Sequence, residues 1–286
     1  MNKKLRVLFV SAEISPWAKS GELADVIQAL SRSISILGAE VSLILPKYRL
    51  PEIESLPLEM VIPELSVPLG QDKIKASVYK TEVEGCAVYF IDNPKYFCRD
   101  KIYGSAQADY LDNDERFTFF SRAVVEFLIK AKLAVDIIHC NDWPTALVPL
   151  FLRTHYAHKS FFKDTATVIS IHDLVSQRKF PPESLALTGL NWDYFTPEQL
   201  ALNGKFSFLK AGLIFSDALN TAGGEAQDSS WNVPAENKQV DLEDILLKRP
   251  EAIFSIANGI DRETWELAAK KYIELYEKAL DAKRGG

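Results

Sequence analysis

Four short stretches of this sequence place polar side chains directly after apolar runs. The first is Lys19-Ser20-Gly21, a cation, a hydroxyl and a residue without Cβ. It stands between the run Val7-Leu8-Phe9-Val10 and a helical pattern that begins near Leu23. Main-chain N–H groups at a helix start, helped by a lysine, suit a phosphate or a sugar hydroxyl. The others are His139-Cys140-Asn141-Asp142-Trp143, Ile171-His172-Asp173 and Asn258-Gly259-Ile260-Asp261. If each preceding run is a strand, Lys19, His139, Asn141, Asp142, His172 and Asn258 fall at or after strand ends. Ligands of open α/β sheets bind outside the carboxyl ends of the strands, so these residues are expected to crowd one rim. Plainer roles stand beside this one. Lysine and glycine are common in α/β loops, Asp142 suits the cap of a following helix, Trp143 suits a core, and His172 suits a satisfied rim histidine.

The elements that would position them follow from periodicity. Residues 7–10 and 41–45 are short apolar runs of the kind buried in parallel sheets, and Pro46 stops the second. Between them, Val26, Ile27, Leu30, Ile34 and Leu37 recur at helical spacing, and Gly38 ends the pattern. Strand, helix and strand in that order make a βαβ unit, which predicts a doubly wound parallel sheet. Residues 62–93 differ, with two strand-like runs around Glu84-Gly85 that predict a hairpin-like insertion. A helix is expected over 112–132, with Phe117, Phe120, Val124, Phe127 and Leu128 on its apolar face. Strands are expected over 135–140, 167–171, 218–221 and 253–257, and helices over 142–152, 206–215 and 262–280. Pro144 fits a first helical turn. The polar segment 223–241 reads as a mobile surface loop.

Bulk properties narrow the class. The chain has 286 residues, 47% hydrophobic and 25% charged, an ordinary globular composition for one large α/β domain or two small ones. A net charge of −6 argues against a nucleic-acid surface. Cys86, Cys98 and Cys140 are odd in number and widely spaced, without a CxxC, which points to neither a disulfide framework nor a metal site and fits a reducing cytoplasm. The apolar run after Arg6 ends at Ser11, too soon for a secretory core, and no segment approaches a membrane span.

Lys19-Ser20-Gly21-Glu22-Leu23-Ala24-Asp25-Val26 resembles the amino-terminal Lys-Thr-Gly-Gly-Leu-Ala-Asp-Val signature of bacterial glycogen synthases and plant starch synthases, glycosyltransferase family 5. His139-Cys140-Asn141-Asp142-Trp143 resembles their His-x-His-Asp-Trp, and Ile171-His172-Asp173-Leu174 their Ile-His-Asn-Leu. Tyr103-Gly104 with the 112–117 segment, the run Asn203-Gly204-Lys205-Phe206-Ser207-Phe208-Leu209-Lys210-Ala211-Gly212, and Asn258-Gly259-Ile260-Asp261 match further motifs. The resemblance implies the amino-terminal, acceptor-side Rossmann-like half of a GT-B fold over 1–261, with a carboxy-terminal helix and tail over 262–286 packed back on it.

By the same resemblance, the activity is glucosyl transfer from ADP-glucose to α-1,4-glucan, without a metal or other cofactor. Lys19 and His172 take catalytic roles at the donor's phosphate and sugar. Lys19, Gly21, Tyr103, His139, Asp142 and Asn258 take substrate-binding roles, with α-1,4-glucan or a maltooligosaccharide as acceptor. The departures matter. Glu22 replaces a glycine where the donor's pyrophosphate would lie, and a carboxylate repels phosphate. Asp173 replaces an asparagine, Asn141 a histidine, and Ala201 a glutamate. The family's second Rossmann-like domain, which carries the cations that balance the diphosphate, is expected to be excised between Asp261 and Trp265. Lys19, Lys205 and Lys210 are the remaining candidate cations. Two functions follow: an acceptor half that works with a separate donor-domain protein or as a homodimer, or a non-catalytic α-glucan-binding or regulatory pseudo-synthase.

Overall fold

The computed structural model describes residues 4–105, 107–173, 178–222, 249 and 252–285. Strand β1 (Arg6–Val10) leads through helix α1 (Leu23–Ile36) to β2 (Glu40–Pro46). A short helix, α2 (Pro51–Glu54), precedes three strands, β3 (Glu59–Leu69), β4 (Asp72–Val83) and β5 (Cys86–Asp92). Helices α3 (Pro94–Phe97) and α4 (Asn113–Ala131) then lead to β6 (Ile137–Asn141), α5 (Leu147–Arg153) and β7 (Ala166–Ile171). Three small strands follow, β8 (Lys179–Phe180), β9 (Ala201–Leu202) and β10 (Lys205–Ser207). The chain continues through α6 (Phe208–Phe215), β11 (Ala218–Thr221), β12 (Ile253–Ser255) and α7 (Arg262–Gly285).

Among the described residues the main sheet has nine strands in the order β12-β11-β7-β6-β1-β2-β5-β4-β3. All pairings from β12 to β5 are parallel, and β4 and β3 add an antiparallel edge. The chain runs outward from β1 to β3 on one side and returns to β6 on the other, so the sheet is doubly wound with its switch point between β1 and β6. β6 and β7 are buried throughout, as is β1 after Arg6, which is why their sequences read as continuous apolar runs. The expected hairpin is present: Val83 pairs with Cys86, and Glu84 (φ 51°) and Gly85 (φ 80°) make the two-residue turn.

Helices cover the sheet, and α7 packs against α1, β7 and β11. Its apolar stripe includes Ala268, Ala269, Leu275 and Ala279, and Tyr272 and Tyr276 reach polar groups inside the sheet. Tyr276 Oη lies 2.7 Å from His139 Nδ1, and Ser170 Oγ lies 2.7 Å from His139 Nε2. Asn220 Nδ2 donates to Tyr272 Oη at 2.6 Å, and its Oδ1 accepts the Ile256 N–H at 3.0 Å. Each of these buried groups is therefore partnered, which interior polar atoms require. Residues 256–261 alone connect β12 to α7. The segment 223–241 lies outside the described residues. No helix among the described residues is long and apolar enough to cross a membrane.

Candidate functional site

A cleft of ≈ 490 Å³ opens at the carboxyl ends of β1, β6 and β7, beside the switch point. That volume lies within the range of small-ligand sites. The segment after β1 contributes Glu13, which is 3% exposed. Its Oε2 accepts the Ser20 N–H at 2.5 Å and the Gly21 N–H at 3.1 Å, holding the loop that enters α1. Glu22 follows at the N-cap position in αR geometry, with no side-chain capping bond.

Asp142 follows β6 with φ 54°, an uncommon conformation for a residue with a Cβ and one that costs about 1–3 kcal/mol. The surrounding bonds enforce it. Its N–H donates to the Ser170 carbonyl at 3.0 Å, and its own carbonyl accepts Thr145 N–H and Oγ1. The result brings Oδ1 to the His172 N–H at 2.8 Å, which ties the ends of β6 and β7 together. Burial pushes the Asp142 carboxyl up to about 7, against the pull of main-chain N–H groups of His172 and Asp173.

The tautomer of His172 follows from its neighbour. Asn141 Nδ2 donates to the carbonyls of Val10 and His139, so Asn141 Oδ1 faces His172 Nε2 as an acceptor at 3.1 Å. The imidazole proton therefore sits on Nε2, and Nδ1 carries a lone pair. Burial lowers this imidazole to about 4, so it is neutral near pH 7. His172 and Asn258 line the cleft, and each keeps a buried atom, His172 Nδ1 and Asn258 Oδ1, with no hydrogen-bond partner among the described residues. Tyr103 and Trp143 supply aromatic walls with ring centroids 5.8 Å apart. Burial first, and then the Glu13 carboxylate, hold the Tyr103 phenol well above its ordinary value.

Among the described residues, the carboxyl and guanidinium side chains lining the cleft are those of Glu13, Glu22, Asp142, Asp173 and Arg178. Arg178 pairs with both oxygens of Asp109 at 2.7 and 3.1 Å and lies over the Tyr103 and Trp143 rings.

The structure brings Gly21, Tyr103, Asp142, His172 and Asn258 to one cleft, as the strand-end pattern requires. It does not bring His139 there. His139 is two residues inside β6, fully buried and bonded to Tyr276 and Ser170, and burial, followed by the proximity of His172, lowers it to about 3. The rim expected for His139 is thus replaced by an interior anchor for α7. Lys19 is exposed, pairs with Asp25 at 2.5 Å, and is not among the cleft-lining residues. Lys210 is 1% exposed and donates to the carbonyls of Pro197 and Ala201, an interior brace and no anion site. Trp143 is 6% exposed and packs edge-on against Phe117, so it serves the core and the cleft wall together. Asp142 makes no side-chain cap to the turn that follows it.

Sequence reasoning missed Glu13 and Arg178. Glu13 had a readable signal, a carboxylate just beyond an apolar strand. Arg178 had none, because its place depends on the pairing with Asp109, far away in the sequence.

A family model described as the starch synthase catalytic domain matches residues 6–225. The chain is 35% identical over 269 residues to glycogen synthase 2 of Geobacter sulfurreducens, covering 94% of this chain and 55% of that protein. It is 36% identical over 275 residues to glycogen synthase of Moorella thermoacetica, covering 95% of this chain and 54% of that protein. The chain thus spans about half the length of the curated relatives it matches. Among solved structures, the catalytic domain of starch synthase IV from Arabidopsis thaliana, bound to ADP and acarbose, superposes with a TM-score of 0.79 at 28% identity. That match covers 92% of this chain and 53% of the other. On the match over residues 6–225 and the GT-B-like sheet that carries the cleft, this chain belongs to the starch synthase catalytic domain family.

Proposed function

We propose that this chain is an α-glucan-binding protein of α-glucan metabolism. Its cleft would hold α-1,4-glucan or a maltooligosaccharide as the acceptor half of a glycogen or starch synthase does, without transferring glucose from ADP-glucose on its own. The observation that carries this reading is the cleft at the strand ends, walled by Tyr103 and Trp143 and lined by His172 and Asn258, each of which keeps a buried acceptor without a partner among the described residues. Unpaired buried acceptors are costly, and sugar hydroxyls are the donors that would satisfy them beside aromatic faces. The likeness to a protein bound to ADP and acarbose supports a saccharide ligand.

Features of the same cleft weigh against independent transfer. The Ser20 and Gly21 amides, the natural phosphate cradle, are taken by Glu13. Glu22 adds a carboxylate at the helix start, and Lys19 is engaged by Asp25 outside the cleft lining. A leaving diphosphate needs fixed cations, and each one lacking weakens transition-state stabilisation by several kcal/mol. The test is incorporation of labelled glucose from ADP-glucose into glycogen by the purified chain, with glycogen binding measured on the same sample. Binding without incorporation is expected. Incorporation that disappears in His172→Ala would overturn the reading.

One observation favours a second reading, in which another polypeptide completes the cleft. Ile260, two residues beyond Asn258, is 91% exposed, and Leu267 on α7 is 57% exposed. A separate donor-domain protein or a second copy of this chain would cover such side chains. Sedimentation of the chain as a strict monomer at high concentration counts against the second copy. Cys86, Cys98 and Cys140 are all free thiols, which fits a reducing cytoplasmic setting for either reading.

A further inference from the structure

We propose, building on the glucan-cleft reading above, that Asn113, aimed by the buried Arg116, is a positioning residue for the saccharide and acts through Tyr103. Tyr103 is half-buried, lines the cleft, and sits on the connection between α3 and α4. Two successive carbonyls of that connection are held from the first turn of α4. The Ile102 carbonyl accepts from Arg116 Nη1 at 2.9 Å, and the Tyr103 carbonyl accepts from Asn113 Nδ2 at 2.8 Å. The same Arg116 Nη1 donates to Asn113 Oδ1 at 2.6 Å, which fixes the amide with its Nδ2 toward Tyr103. Arg116 Nε donates to the Tyr96 carbonyl of α3 at 2.8 Å, so one rigid group joins both ends of the connection.

The oxygens that Arg116 meets are all neutral. Arg116 is 0% exposed, and its Nη2 has no partner among the described residues. A buried charge held by neutral oxygens adds little to stability, whereas a planar fork with fixed directions holds several carbonyls in one arrangement. The rings of the wall rest on the same group. The guanidinium carbon lies 5.2 Å from the Phe117 ring centroid, and Phe117 lies 5.8 Å from Tyr103 and 4.9 Å from Trp143.

Asn113 allows positioning to be separated from stability. In Asn113→Asp the oxygen bonded to Arg116 remains and gains a charge, which gives the guanidinium a carboxylate partner. The donor to the Tyr103 carbonyl becomes a second carboxylate oxygen, which repels that carbonyl. The Tyr103 carbonyl keeps its other donor, the Tyr110 N–H at 2.8 Å, so the wall is displaced while the connection stays tied.

The test is calorimetric titration with maltotetraose of the full chain, of Asn113→Asp, Asn113→Ala and Tyr103→Ala, and of Tyr103→Ala combined with Asn113→Asp, with urea unfolding of each. Asn113→Asp should keep at least the parent's urea midpoint and bind about fivefold more weakly, the scale of one hydrogen bond. Asn113→Ala should lose affinity similarly, and it decides the matter if the aspartate variant does not fold. Tyr103→Ala should bind about tenfold more weakly than the parent. In that background Asn113→Asp should change affinity by less than about twofold, because the two residues act as one unit. If the parent binds and the folded Asn113 variants or Tyr103→Ala bind equally well, the proposal fails while the glucan reading stands. The same holds if the Asn113→Asp loss persists undiminished without Tyr103. If the parent does not bind maltotetraose, both fail.

Discussion

The Glu13 carboxylate accepts the Ser20 main-chain N–H at 2.5 Å, and the same oxygen also takes the Gly21 N–H at 3.1 Å. A loop whose type suits it to phosphate thus has its anion built in, from a side chain only 3% exposed. Charge-assisted bonds of this kind are roughly twice as strong as neutral ones. Glu13→Gln keeps an acceptor oxygen but loses the charge, so it should destabilise the fold by about 1–2 kcal/mol. Urea unfolding checks this. An unchanged midpoint would mean that the loop is held by other means.

The turn glycine next to that carboxylate has a different standing. A Cβ built on Gly21 meets nothing within 4 Å, and its φ is not in the left-handed region. Gly21→Ala should therefore change stability by less than about 0.5 kcal/mol. At Gly104, by contrast, φ is 154° and a Cβ would sit 2.4 Å from the Ala108 carbonyl oxygen. Gly104→Ala should disrupt the loop that carries Tyr103, with a loss of about 1–3 kcal/mol in thermal or urea unfolding.

Asp142 links the site to pH. Burial raises its carboxyl to about 7 in the folded chain, against an ordinary unfolded value of about 3.9. Between these values the folded state binds more protons than the unfolded one. Its contribution is therefore fully present below the unfolded value and is lost as pH rises through about 7. Asp142→Asn retains an oxygen for the His172 N–H and removes the buried charge. Relative to the parent it should gain about 4 kcal/mol at about pH 8 and less than about 1 kcal/mol at about pH 4. Urea midpoints for both proteins at the two pH values measure the difference.

His139 and Tyr276 define a structural anchor apart from the cleft. Tyr276→Phe leaves His139 Nδ1 buried without its 2.7 Å partner, which should cost about 1–3 kcal/mol. Glucan affinity should stay within about twofold of the parent, since no saccharide contact is assigned to either residue; about 0.4 kcal/mol separates that from no change. A large loss of affinity with normal stability would restore His139 to a binding role.

How far the sequence could be read depends on the range of the interactions involved. The central strands β1, β6 and β7, helices α1 and α4 and the Glu84-Gly85 hairpin were legible, because their apolar periodicity and turn residues are local signals. The small sheet β8-β10-β9 was not read, although Asn203 (φ 52°) and Gly204 (φ 71°) form the Asn-Gly turn between β9 and β10. Its strands are two or three residues long, too short to show alternation. At the site, Asp142, His172 and Asn258 were found because a strand end is a local feature. His139 was misplaced at the rim because its partners, Ser170 and Tyr276, come from β7 and α7 and only tertiary packing unites them. Lys19 looked like a site cation for the same reason: its engagement by Asp25, in the first turn of α1, is a matter of side-chain direction that spacing does not fix.

The most direct test of the account is calorimetric titration of the parent chain, Lys19→Ala and His172→Ala with maltotetraose and with ADP-glucose. The account predicts that the parent binds maltotetraose, that Lys19→Ala binds it equally well, and that His172→Ala loses about tenfold, near 1.4 kcal/mol. ADP-glucose should give no binding heat with any of the three. ADP-glucose binding to the parent that is abolished by Lys19→Ala, or maltotetraose binding indifferent to His172→Ala, would contradict it.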